Sequence, residues 1–90
     1  MQTWVFKTTA HRPDEEPREL VALTSGADEQ ACLAFAIDQM TLRGWVDIEV
    51  SRRVELDPNA KASANDYLLR AIETVEACGF SVIRYGPADH

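Results

Sequence analysis

The stretch "WVDIEVSRRVEL", residues 45–56, decides the fold. Read at every second position, Val46, Ile48, Val50, Val54 and Leu56 form an apolar row. Asp47, Glu49, Ser51, Arg53 and Glu55 form a polar row, with Trp45 at its head. Such alternation predicts a long, half-buried strand. The exception is Arg52, which falls in the apolar row. Three readings fit it. A β-bulge near Ser51 shifts the phase, so that Arg52 points outward and Arg53 becomes the odd residue. Alternatively, the strand outruns its cover and Arg52 snorkels past the edge, to water or to an acid such as Glu73 or Glu76. In the third reading Arg52 holds an anion or a partner. Burying an unpaired guanidinium costs on the order of several kcal/mol, which favours the second reading. On that reading Arg52→Leu is tolerated or mildly stabilising.

Working outward, "TWVFKTT" (3–9) mixes aromatic and β-branched residues and predicts a strand. "AHRPDEEPR" (10–18), with two prolines and three consecutive acids, is a loop. "ELVALTS" (19–25) reads as a short second strand hairpinned onto the first, with an early helical turn as the alternative. "SGADEQACLAFAIDQMTLRG" (25–44) is a helix. Ser25 and Asp28 suit its start. Leu33, Ala36, Ile37 and Met40 form its inner stripe, widened by Cys32 and Phe35, and Arg43-Gly44 suit its end. "DPNAKASAN" (57–65) breaks the long strand. Ser63 and Asp66 mark a second helix start. That helix carries Leu68, Ala71, Ile72, Val75 and Cys78 inward, and Gly79 stops it. "FSVIRY" (80–85) is the last strand and "GPADH" a tail.

The order β(β)αβαβ predicts one α+β domain over residues 1–90. It is a small mixed sheet with both helices packed on one face and the second face open. Right-handed crossovers make the strands after residue 18 mostly parallel. The alternative splits 45–56 into two strands, giving a ferredoxin-like βαββαβ, but "VSRRVE" lacks the Asn-Gly or Asp-Gly of a tight hairpin.

Composition excludes several classes. The net charge is -6, spread evenly along the chain, and the only adjacent basic pair is Arg52-Arg53. Nucleic-acid binding, which needs clustered Lys and Arg, is not expected. No apolar run approaches a membrane span, and the N-terminal residues lack the pattern of a signal peptide, so a cytoplasmic setting is expected. Cys32 and Cys78 both fall in helical patterns and are expected as buried thiols.

No motif specifies a reaction, a metal or a cofactor. His11, in "AHRPD", could act as a base oriented by Asp14. His90 is the other histidine, at the last position. Thr24, Ser25, Asp57, Asn59 and Tyr85 would gather along one edge of a parallel sheet, where open α/β sheets bind small molecules, with Asp57 as acid or base. The stronger expectation is a binding or regulatory module acting through protein contacts, with another protein or with a second copy. Trp4, Phe6 and Trp45 would anchor the contact on the open sheet face, rimmed by Asp47, Glu49 and Arg53.

Overall fold

The computed structural model describes residues 2–57 and 59–87, the side chains of 85–87 aside. His90 and the end of the tail lie outside the described residues. The elements are β1 (Gln2–His11), β2 (Arg18–Gly26), α1 (Glu29–Leu42), β3 (Val46–Glu55), α2 (Ala60–Ser63), α3 (Asp66–Cys78) and β4 (Phe80–Pro87). The class is α+β, as the order of patterns implies, and the segment 19–25 is a strand. The sheet order is β3-β1-β2-β4, and every neighbouring pair is antiparallel. β2 and β3 do run in the same direction, but β1 inserts between them, so no parallel pair forms. The segment 45–56 holds one strand, not the two of the ferredoxin-like alternative.

The expectation that both helices share a face is overturned. Phe6, Ala10, Leu20, Ala22 and Phe80 form one core with Cys32, Ala36 and Met40 of α1. On the opposite face, Leu23 packs with Ala71, Ile72 and Val75 of α3, and Val5, Val21 and Ile83 pack against them. The inner strands carry apolar side chains on both faces, so each face needs its own cover. The result is three layers, helix on sheet on helix. α3 covers the β2–β4 half of its face, and Lys7, Glu49 and Arg52 lie on the remaining half, toward β3.

The helix boundaries follow local chemistry. Asp28, not Ser25, caps α1, its carboxylate accepting from Ala31 N at 2.9 Å. Ser25 is still in β2, and its hydroxyl meets that of Thr3 across the strands at 3.0 Å. Asn65, not Ser63, caps α3, accepting from Leu68 N at 2.8 Å. Ser63 instead ends the short α2. Gly79 closes α3 in the left-handed conformation, φ 83, with its N–H on Val75 O, which lets β4 turn directly back along the helix. Cys32 is buried as expected, and burial, then the charge of Asp28, raises its thiol pKa. Cys78 is exposed, a correction to the inner stripe, and neither cysteine is in a disulfide.

Two bulges decide the reading of β3. Lys7 pairs with Arg52 but Thr8 pairs with Val50, so Ser51 is the extra residue. Its hydroxyl donates to Lys7 O at 3.1 Å. The side chains change phase there, and Arg53 becomes the odd one. Arg53 lies on the α1 side and meets Glu29 at 3.4 Å. Arg52 stands on the open half-face beside Lys7. The bulge reading therefore holds, and the snorkelling reading does not. Arg52→Leu is still expected to be neutral or mildly stabilising, within about 0.5 kcal/mol, because it relieves a like-charge cross-strand pair. Denaturant midpoints of the two proteins check this.

Candidate docking surfaces

The anchors expected on an open sheet face are not open. Phe6 is 0 % exposed and Trp45 1 %, and both belong to the core under α1. Trp4 is half-buried and stacks on Phe6, ring centroids 6.5 Å apart. Trp45 precedes β3 instead of heading its polar row. Gly44, at φ 91, turns the chain, and Asp47, at φ 53, forms a second bulge between the pairs Thr9/Glu49 and His11/Val46. Trp45 thereby swings under the end of α1, where Arg12 stacks on its ring at 4.4 Å and Arg84 approaches to 5.9 Å. Arg12 also donates from Nε to Arg43 O, at 3.1 Å, serving a carbonyl at the helix end. The expected rim is dispersed as well. Asp47 sits at a bulge, Glu49 on the open half-face and Arg53 on the α1 side.

His11 finds a carboxylate, but it is Asp47 rather than Asp14. His11 Nε2 lies 2.7 Å from Asp47 Oδ2 and Nδ1 lies 3.2 Å from Arg12 O. Both partners accept, so only the imidazolium satisfies both. The Asp47 hydrogen bond, followed by the Arg12 carbonyl, holds the His11 pKa above its ordinary 6.5. The pair's stabilisation is thus fully present below pH 6.5 and is lost as pH rises through the raised folded value. The difference in Tm between the wild type and Asp47→Asn is expected to shrink between about pH 6 and pH 9, asparagine tolerating the same backbone. A difference that stays constant over that range would remove the charged pair from the description.

Asp57 stands at the other end of β1. Its carboxylate accepts from Asn59 N at 2.8 Å and shapes the turn into α2. It lines a cavity of about 260 Å³ with Thr3, Glu55, Lys61 and Glu76 among its neighbours. Lys61 is already paired with Glu76 at 2.6 Å. Thr24 is buried, Ser25 is bound to Thr3, and the register puts Tyr85 at the far end of β4. The antiparallel sheet therefore separates the strand-end residues that a parallel one would gather. His11 and Asp57, at opposite ends of β1, share no site.

The two sheet edges differ in kind. β3 carries two bulges and five charged residues, Asp47, Glu49, Arg52, Arg53 and Glu55. Those are the features that keep an edge from pairing with another chain. β4 has such features only at its far end, where a register shift and Pro87 follow Arg84. Its register with β2 is unbroken from Phe80 to Arg84, and Arg84 is the one charge in that run. Among the described residues no strand pairs with its outer side, and no loop backbone bonds to it. Beside this edge runs a groove of about 270 Å³, walled by Tyr67, Arg70 and Thr74 of α3 and by Ser81–Arg84 of β4. Tyr67 is 76 % exposed.

A second apolar surface lies on α1. Its inner side is Cys32, Ala36 and Met40, with Leu33 partly buried. Phe35 and Ile37, both expected inside, lie on opposite flanks of that inner side; Phe35 meets Phe80 edge-on, ring centroids 6.3 Å apart, and Leu42, on the Phe35 flank, is 76 % exposed.

Neither signal was hidden. The low charge of "FSVIRY" and the all-round apolarity of "ACLAFAIDQM" are visible in the sequence, but their meaning depends on knowing which strand is an edge and which helix face is covered. Compared with protein-family models, curated proteins and solved structures, the chain matches none.

Proposed function

We propose that this chain is a small, acidic, cytoplasmic binding module that acts through protein contacts and takes an extended segment of its partner onto the edge of β4. The contrast between the two edges carries the reading. A ten-residue strand defended by bulges and charge on one side, and a strand undefended over 80–84 beside a groove on the other, fit strand addition, in which main-chain hydrogen bonds supply affinity and a neighbouring groove supplies selection. Two thiols outside any disulfide fit a reducing compartment.

The test is selection of ligands from a random peptide library, followed by N-methylation of the selected peptides one residue at a time. Strand addition predicts that binding is lost at alternate positions, where the peptide N–H faces β4. Chemical shifts in the complex should move along 80–84 and 67–74. Binding that ignores main-chain methylation, or a library that yields no ligand, rejects the reading.

A second reading, a homodimer through α1, is favoured by the exposed Leu42 beside the partly exposed Phe35 one heptad earlier. Sedimentation equilibrium checks it. A dimer that Leu42→Glu dissociates supports it, and a monomer at high micromolar concentration rejects it. The small-molecule or enzyme alternative around Asp57 is weaker. That cavity is small for a ligand pocket, and Asp57, its expected acid or base, is engaged in a turn.

A further inference from the structure

Resting on the strand-addition reading, we infer that the partner of β4 is a second copy of this chain, the two β4 strands pairing antiparallel about a two-fold axis at Val82. Ser25 N donates to Gly79 O. By the alternation of an antiparallel ladder, Ser81 and Ile83 then bond to β2, while Phe80, Val82 and Arg84 turn their N–H and C=O groups outward. The run 80–84 is self-complementary about its middle residue, as a two-fold contact requires. On the α1 face Val82 meets its own copy and Phe80 stands opposite Arg84 of the copy. On the α3 face Ser81 stands opposite Ile83. An axis at Arg84 would instead oppose two like charges.

This is also the side on which two chains of charge -6 can approach. The groove residues, β4 from Phe80 to Arg84, and Phe35, Gln39, Leu42 and Arg43 on the α1 flank beside Phe80 include no Asp or Glu, in a chain that has 15. The other edge, β3, carries Asp47, Glu49 and Glu55, and pairing there would set acid against acid. α3 covers β2 and β4, so it lies about 5 Å from an axis set half a strand spacing outside β4. Its two copies therefore stand about 10 Å apart, the separation at which helices pack. A helix advances about 1.5 Å per residue and a strand about 3.3 Å, so Thr74, counted back from Cys78, comes level with Val82, counted forward from Phe80. Thr74 is small and exposed on the groove wall, and it faces its own copy across the axis. A peptide would supply the added strand but not this second contact.

The test is sedimentation equilibrium of the full chain as wild type, Thr74→Glu and Thr74→Lys. The wild type should be a dimer at high micromolar concentration. Each variant alone should weaken the dimer on the order of tenfold or more, because like charges meet on the axis, and an equimolar mixture of the two should restore it. That restoration also shows both variants to be folded. Amide exchange at Phe80, Val82 and Arg84 should slow as protein concentration rises, and the peptides selected above should compete with dimerisation. A monomer that binds those peptides along 80–84 overturns the inference and leaves strand addition standing. A dimer that ignores both Thr74 variants overturns it too, and one that Leu42→Glu alone dissociates returns the contact to α1. A monomer that selects no peptide overturns both.

Discussion

Trp45→Ala is expected to cost about 3–5 kcal/mol and to lower Tm by more than about 12 °C. Trp45 is among the largest fully buried side chains, and it joins the end of α1 to the sheet core. Removing it leaves a cavity that the other members of its core cluster cannot fill without moving backbone. It also strips Arg12 of the ring on which it stacks, and Arg12 serves the Arg43 carbonyl at the end of the helix. For a domain whose total stability is on the order of 5–15 kcal/mol, the variant sits near the limit of folding. Thermal unfolding followed by circular dichroism decides the matter. A melting temperature like that of the wild type would put Trp45 on the surface. Any loss of partner binding in this variant would report unfolding, and Thr74→Glu is the substitution that probes docking without disturbing the core.

Leu23→Ala is expected to cost about 2–5 kcal/mol, and it tests the architecture itself. Leu23 is fully buried on the face covered by α3, opposite the face that holds Ala22, Leu20 and Phe6. With both helices on the other face, Leu23 would meet water and its truncation would change stability by no more than about 0.5 kcal/mol. The three-layer arrangement makes it the central contact of Ala71, Ile72 and Val75. Equilibrium unfolding in urea should show a lowered midpoint. Amide exchange should accelerate in α3 before α1 if the two cores open independently. A midpoint unchanged within error would return the helices to one face.

What could be read from the sequence was the set of elements. Alternation, Gly79 and the apolar stripes place strands and helices close to where they lie, because each depends on a few neighbouring residues. What could not be read depended on partners. A bulge exists only relative to another strand, so the displacement of Ser51 and Asp47 is not visible in residues 45–56 alone. With it went the positions of Arg53, Arg52 and Trp45. Asp28 and Ser25 both suit an N-cap, and the choice fell to Asp28 because Ser25 was held by Thr3 across the sheet. Leu23 and Val5 carried the signal for a second helix layer, since apolar residues on both sides of a strand leave no face free. That signal was spent on an open docking face in place of a second cover.

The strand order also governs how the molecule comes together in time. Val5 pairs with Leu23, close along the chain, and with Val54, far from it, while Leu23 pairs with Ser81. The hairpin that forms from local contacts is the middle of the sheet. Both outer strands must arrive through long chain closures, so relative contact order is high and folding belongs in the millisecond-to-second range, roughly that of sheet-rich domains. Until β4 arrives, β2 shows the bare edge that β4 will later show. The chain passes through a species able to recruit strands at the wrong place, and speed of closure, as much as final stability, decides how much of it escapes aggregation.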